Sequence, residues 1–145
     1  MKPRTGISLS CLILVLALLN LSCTGSQHEL KTIKLAGGGE VPDIRGDWLV
    51  DYEYYGIYRA LSGYQNQVRI FQDGNKFVAV MKVQDQFFAR GTELMRGELS
   101  RNGITSAQLF TKDKGWLDCA GSISENGNKI VFDEASQKRM LTREK

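Results

Sequence analysis

Gly46-Asp47-Trp48-Leu49-Val50-Asp51-Tyr52-Glu53-Tyr54 is the stretch that decides the fold. Its period is two: Trp48, Val50, Tyr52 and Tyr54 alternate with Asp47, Leu49, Asp51 and Glu53. Residues two apart share one face of a strand, so this is a half-buried strand with an aromatic inner face and an acidic outer one. The same period continues downstream. Val68-Arg69-Ile70-Phe71 and Phe77-Val78-Ala79-Val80-Met81 flank Gln72-Asp73-Gly74-Asn75-Lys76. Asp-Gly between two apolar strands signals a hairpin, because a tight turn needs residues that tolerate positive φ.

The unit then repeats. Glu93 to Leu99 meets Ile104 to Phe110 across a loop holding Asn102-Gly103, and Trp116 to Ile123 meets Lys129 to Phe132 across one holding Asn126-Gly127. Lys138 to Arg143 reads as a last strand, and Gly56 to Ser62 as a loop or a single turn of helix. The expectation is all-β: about eight short antiparallel strands joined by hairpins. An open meander would leave two unpaired edges, whereas closure into an up-and-down barrel removes them. At about eight strands the interior is just wide enough to fill with side chains or hold one small ligand.

The barrel occupies residues 46–145 of a chain of 145. Ahead of it, residues 24 to 45 read as a flexible tether: Thr24-Gly25-Ser26-Gln27 and Gly37-Gly38-Gly39 are flexible and Pro42 is a breaker, with a short strand or helix between His28 and Leu35. At the N-terminus, Lys2 and Arg4 precede an apolar run from Ile7 to Leu21 that ends in Leu21-Ser22-Cys23. That run is shorter than the ~20 residues that span a bilayer and has the anatomy of an export signal over residues 1–22.

Two resemblances follow from these residues. Leu21-Ser22-Cys23 resembles the lipobox of bacterial lipoproteins, with Asn20 where that family usually has Leu. It implies a signal peptide cut before Cys23, lipidation of Cys23 by palmitate-type acyl chains, and residues 23–45 as a membrane-bound tether. Thr24 after the cysteine implies, in such proteins, the periplasmic face of the outer membrane. Cleavage after Ser22 or Gly25 by an ordinary signal peptidase is the alternative. Gly46-Asp47-Trp48 resembles the Gly-x-Trp that opens lipocalin-like (calycin) barrels. There the tryptophan closes one barrel end and a basic residue of the last strand packs over it, a part that falls here to Arg139 or Arg143.

Loss of Lys2 and Arg4 with the leader lowers the formal net charge from +3 to +1. No basic block is present, so nucleic acid is not an expected partner. His28 is the only histidine and lies in the tether, which disfavours Ser-His-Asp or Cys-His chemistry, and neither a catalytic set, a metal site nor a cofactor is expected. Asp47, Asp51 and Glu53 read as a solvated outer face. Cys119 shares a face with Leu117 and Ile123 and reads as inert packing. All five tyrosines, Tyr52, Tyr54, Tyr55, Tyr58 and Tyr64, fall within 13 residues, with Arg59 among them. Tyrosine and arginine combine apolar area with a polar tip and are enriched in binding surfaces. Phe87-Phe88 is a further candidate rim. The expected role is an envelope lipoprotein whose barrel, lined by Trp48, Val50, Tyr52, Ile70, Met95 and Leu117, binds a small apolar ligand through the tyrosine segment. The alternative is a solid barrel that docks another envelope protein as an accessory or structural subunit.

Overall fold

The computed structural model describes residues 30–144; the leader, Cys23 and His28 lie outside the described residues. The elements run β1 (Thr32–Lys34), β2 (Glu40–Pro42), β3 (Gly46–Tyr54), a 3-10 helix (Gly56–Leu61), β4 (Gln65–Asp73) and β5 (Lys76–Met81). They continue β6 (Glu93–Ser100), β7 (Gly103–Thr111), β8 (Gly115–Ile123), β9 (Lys129–Glu134) and β10 (Gln137–Arg143). From β3 onward each strand pairs antiparallel with its sequence neighbour, and β10 returns to pair with β3. The result is a closed, eight-stranded, up-and-down barrel, as the period-two pattern requires.

Alternation sorts the side chains. Trp48, Val50 and Tyr52 of β3 point inward and are at most 3% exposed. Val68 and Ile70 of β4, Ala79 and Met81 of β5, and Leu141 of β10 join them in the core. On the outer face Asp47 pairs with Arg69 at 2.6 Å and with Lys82 at 2.9 Å, and Glu53 faces Lys138 at 4.0 Å. An apolar interior and a charged exterior suit a barrel surrounded by water, the reverse of a membrane-spanning barrel.

Two irregularities interrupt the ladders of β6. At Ala79/Val80 the extra residue is Leu94 of β6, so that the consecutive Leu94 and Met95 are both buried, and at Glu98/Leu99 it is Thr105 of β7. A bulge inserts a residue and resets which face follows. Gly97 sits between them, where an added Cβ would lie 2.2 Å from the Ser106 carbonyl oxygen and 2.9 Å from the Phe77 ring. Only glycine fits there.

The two barrel ends differ. The β4–β5, β6–β7 and β8–β9 connections fall at one end, with Gly74, Gly103 and Gly127 at positive φ. The long β3–β4 and β5–β6 connections fall at the other, beside the short β7–β8 and β9–β10 turns. The end with the Asp-Gly and Asn-Gly turns is also plugged. β1 and β2 form a small hairpin, Thr32↔Pro42 to Lys34↔Glu40, and Val41 and Ile44 are buried in the barrel end. Gln72 stitches this strap to β4: its Oε1 accepts from Ile44 N at 3.0 Å and its Nε2 donates to Pro42 O at 3.0 Å.

The flexible tether expected through residue 45 is therefore shorter, because its second half packs onto the barrel. Burying two aliphatic side chains contributes roughly 1.5–3 kcal/mol each, which offsets part of the cost of ordering the strap. Pro42 ends β2 without disrupting the hairpin, since a short edge strand tolerates proline.

Candidate functional site: the barrel mouth

The end opposite the strap is open. A cavity of about 420 Å³ enters the barrel there, inside the range of small-molecule sites. Tyr52, Tyr54 and Leu117 form its inner wall, Tyr58, Leu61, Tyr64, Phe87 and Phe88 its outer wall, and Gln137 and Arg139 join them from β10. The period-two pattern aims Tyr52 inward, and the end of β3 places Tyr54 at the lip. The 3-10 helix after Tyr55 lifts Tyr58 and Leu61 over the opening, where they remain 54% and 59% exposed.

The second mouth loop is held by one carboxylate. Asp85 Oδ1 accepts from the Phe87 and Phe88 backbone N–H groups at 2.7 and 2.8 Å, an arrangement that shapes the loop locally. Its Oδ2 accepts from the Tyr64 hydroxyl. Tyr64 in turn stacks edge-on against Phe87, with ring centres 5.2 Å apart at 88°, and lies 5.1 Å from Tyr52. The tyrosine segment and the Phe87-Phe88 loop are thus clipped together on one side of the mouth.

The sequence candidates divide. Tyr52, Tyr54, Tyr58 and Tyr64 come together around the cavity. Tyr55 does not: its hydroxyl donates to Asp133 Oδ1 at 3.0 Å on the outer surface. Arg59 is exposed and does not line the cavity. Trp48 is at the wrong end. It lies six residues before Tyr54 on the same strand, roughly 20 Å away at 3.3 Å per residue. Fully buried, it donates from Nε1 to the Ile44 carbonyl oxygen at 3.0 Å. Val50, Ile70 and Met95 are likewise packed solid, so of the expected interior lining only Tyr52 and Leu117 face the cavity. These positions are packed, and the cavity lies above them at the mouth.

Arg139, one of the two arginines open to the place over Trp48, lies at the mouth instead. It is 2% exposed and lies with its guanidinium 5.1 Å from the centre of the Tyr52 ring. Nη1 donates to Leu94 O at 2.9 Å, Nη2 to Phe110 O at 2.6 Å and Nε to Gln137 Oε1 at 3.2 Å. Burial works against its charge and lowers its pKa, yet an arginine side chain stays protonated in proteins. The signal was two arginines, Arg139 and Arg143, in phase with Leu141 on β10. Arg143, not Arg139, covers the tryptophan, 4.4 Å from the Trp48 ring centre.

Other candidates take structural parts. Cys119 is half-buried and unpaired, and burial pushes its thiol up to about 11, so little thiolate forms near neutrality. Asp73-Gly74 is the β4–β5 turn. Among the described residues no three His, Cys, Asp or Glu side chains are grouped as a metal site would need. No protein-family model matches the chain, and neither does any curated protein or solved structure.

Proposed function

We propose that this protein is a binding barrel that takes up a small, largely apolar ligand through its open end. The observation that carries the reading is the cavity of about 420 Å³ walled by Tyr52, Tyr54, Tyr58, Phe87, Phe88 and Leu117 above those packed positions. Concave, aromatic-lined sites with a few polar groups are where small molecules are held. Binding without covalent chemistry is part of the same reading. Kinship with the lipocalin-like barrels belongs to it too, supported by the up-and-down order and by Arg143 over Trp48.

The proposal extends to location: an envelope lipoprotein held through Cys23, with the mouth turned away from its membrane. The strap supports this orientation. A Cβ placed on Gly127 would lie 2.4 Å from Leu30 Cδ1, so the chain enters the barrel beside the β8–β9 turn, at the closed end. Seven residues from Cys23 to Leu30 reach at most about 24 Å when extended. That is enough to clear the headgroups but too little to turn the mouth freely toward them.

A neutral fluorescent probe, N-phenyl-1-naphthylamine, tests the binding reading. It should bind the full chain and lose about tenfold in affinity in Leu117→Trp, which crowds the inner wall of the cavity. Unchanged affinity in a folded Leu117→Trp protein would reject the cavity as the site. A second reading, docking of an envelope protein, draws on Ile57, which is 89% exposed beside the mouth without lining it. Ile57→Ser should weaken a protein partner and leave the probe untouched.

A further inference from the structure

Arg139 has no carboxylate partner. The ion pairs among the described residues join Asp43 with Arg45, Asp47 with Arg69 and Lys82, Glu144 with Lys82, and Glu53 with Lys138. The acidic groups nearest in the fold are engaged elsewhere. Glu134 accepts from Ser136 N at 2.9 Å and Oγ at 2.5 Å, Asp133 accepts from Tyr55, and Asp85 is held by Tyr64 and its own loop. All the acceptors around Arg139 are neutral: two carbonyl oxygens and one amide. A buried charge without a counter-charge costs several kcal/mol, and a fold keeps one only where something compensates it.

The guanidinium also has donors to spare. It carries five N–H groups and three are used, which leaves one on each Nη. A carboxylate takes two parallel N–H bonds from that fork, and such charge-assisted pairs are among the strongest hydrogen bonds. The cavity against which this fork lies is otherwise walled by aromatic and aliphatic side chains, and Lys112 and Lys114 stand at its rim. Cations at a low-dielectric opening raise the local concentration of anions.

We propose that the ligand is an amphipathic monoanion: a carboxylate head seated on Arg139 beside Tyr52, with an apolar tail filling the mouth between Leu117, Tyr58 and Phe87. The inference rests on the binding reading above and narrows it to one ligand class. The buried arginine then has two states. Without ligand it braces β10 against the Leu94 and Phe110 carbonyls; with ligand it keeps that brace and gains its counter-charge.

The test is displacement of N-phenyl-1-naphthylamine from the full chain by decanoate, decan-1-ol and decyltrimethylammonium, which share a tail and differ in head charge. Decanoate should displace at about a tenth of the concentration of the alcohol, and the cation should be poorer than either. In Arg139→Gln the preference for decanoate over the alcohol should fall below about twofold. The Lys112→Ala/Lys114→Ala variant should slow uptake but keep the preference. If Arg139→Gln does not fold, the wild-type comparison and the lysine variant still decide. Equal displacement by acid and alcohol would overturn the head-group inference and leave the apolar site standing. So would a preference that disappears with the two lysines. No uptake of the probe at all would overturn the binding reading and this inference together.

Discussion

Arg143 lies 4.4 Å from the centre of the Trp48 ring, and the two residues are direct partners across the β10–β3 seam that closes the barrel. The same strand pair repeats the relationship at the other end, where Arg139 partners Tyr52. Arg143 donates to the Arg45 and Asp43 carbonyl oxygens at 2.7 and 3.0 Å and so fastens the strap over the closed end. Arg139 lies against the cavity at the open one. One register thus assigns one arginine to stability and the other to the site.

Trp48→Ala should cost about 3–5 kcal/mol in chemical denaturation, since it empties the largest core position and removes the bond to Ile44. Arg143→Ala should cost less, about 1–3 kcal/mol, by leaving the Asp43 and Arg45 carbonyl oxygens without their donor. Amide exchange should then show the strap opening before the barrel does. Loss of the barrel amides together with the strap would contradict a separable latch.

Asp47 sets an acid limit. Its hydrogen bond to Arg69, and then that to Lys82, hold its carboxyl well below the usual carboxylate range. A depressed folded-state pKa gives stability that is present above the unfolded value of about 4 and is lost as the pH falls toward the folded value. The group is near the surface, so the effect should be about 0.5–1 kcal/mol and should shrink in high salt. Thermal melts of wild type and Asp47→Asn should differ at pH 7, and the difference should shrink as the pH falls from about 4 toward 2. A difference that stays constant over that range would mean that Asp47 acts through packing instead.

Asp85→Ala should release the Phe87-Phe88 loop from Tyr64 and from its own backbone clamp, at a cost of about 1–2 kcal/mol. The more telling effect is kinetic. Probe dissociation, followed by stopped flow, should accelerate several-fold, because an aromatic wall of the cavity is no longer pinned. Unchanged dissociation would show that the loop is not part of the wall in solution.

Cys23→Ala should move the protein from the membrane fraction to the soluble fraction of cells and abolish labelling by a clickable fatty acid. Retention at the membrane with unlabelled protein would reject the lipid anchor.

The barrel was legible because its rule is local. Trp48, Val50 and Tyr52 announce an inner face without any knowledge of what packs on it, and Asp73-Gly74, Asn102-Gly103 and Asn126-Gly127 announce turns. What that rule leaves out is height along the barrel. Trp48 and Tyr54 share a face, yet one seals the floor of the fold and the other edges its mouth. Parity held a further clue: alternate connections fall at opposite ends, so the three Asp-Gly and Asn-Gly turns at one end put the β3–β4 and β5–β6 loops at the other. The strap was missed because Val41 and Ile44 gain their burial from the barrel core rather than from any pattern of their own. Tyr55 and Arg59 were grouped with the site by closeness in sequence, but the 3-10 helix turns them outward. Arg139 and Arg143 stayed alternatives for the place over Trp48 because both stand in phase on β10, and only the register with β3 separates them.

The most direct measurement is an amide chemical-shift map of the isotope-labelled full chain, saturated with N-phenyl-1-naphthylamine. Shifts should concentrate at Tyr64, Phe88, Thr111, Ser136 and Arg139 around the mouth and be absent from Val41, Ile44 and the β4–β5 turn at the closed end. A map without shifts at saturating probe, or with shifts centred on the strap, would contradict a ligand-binding mouth.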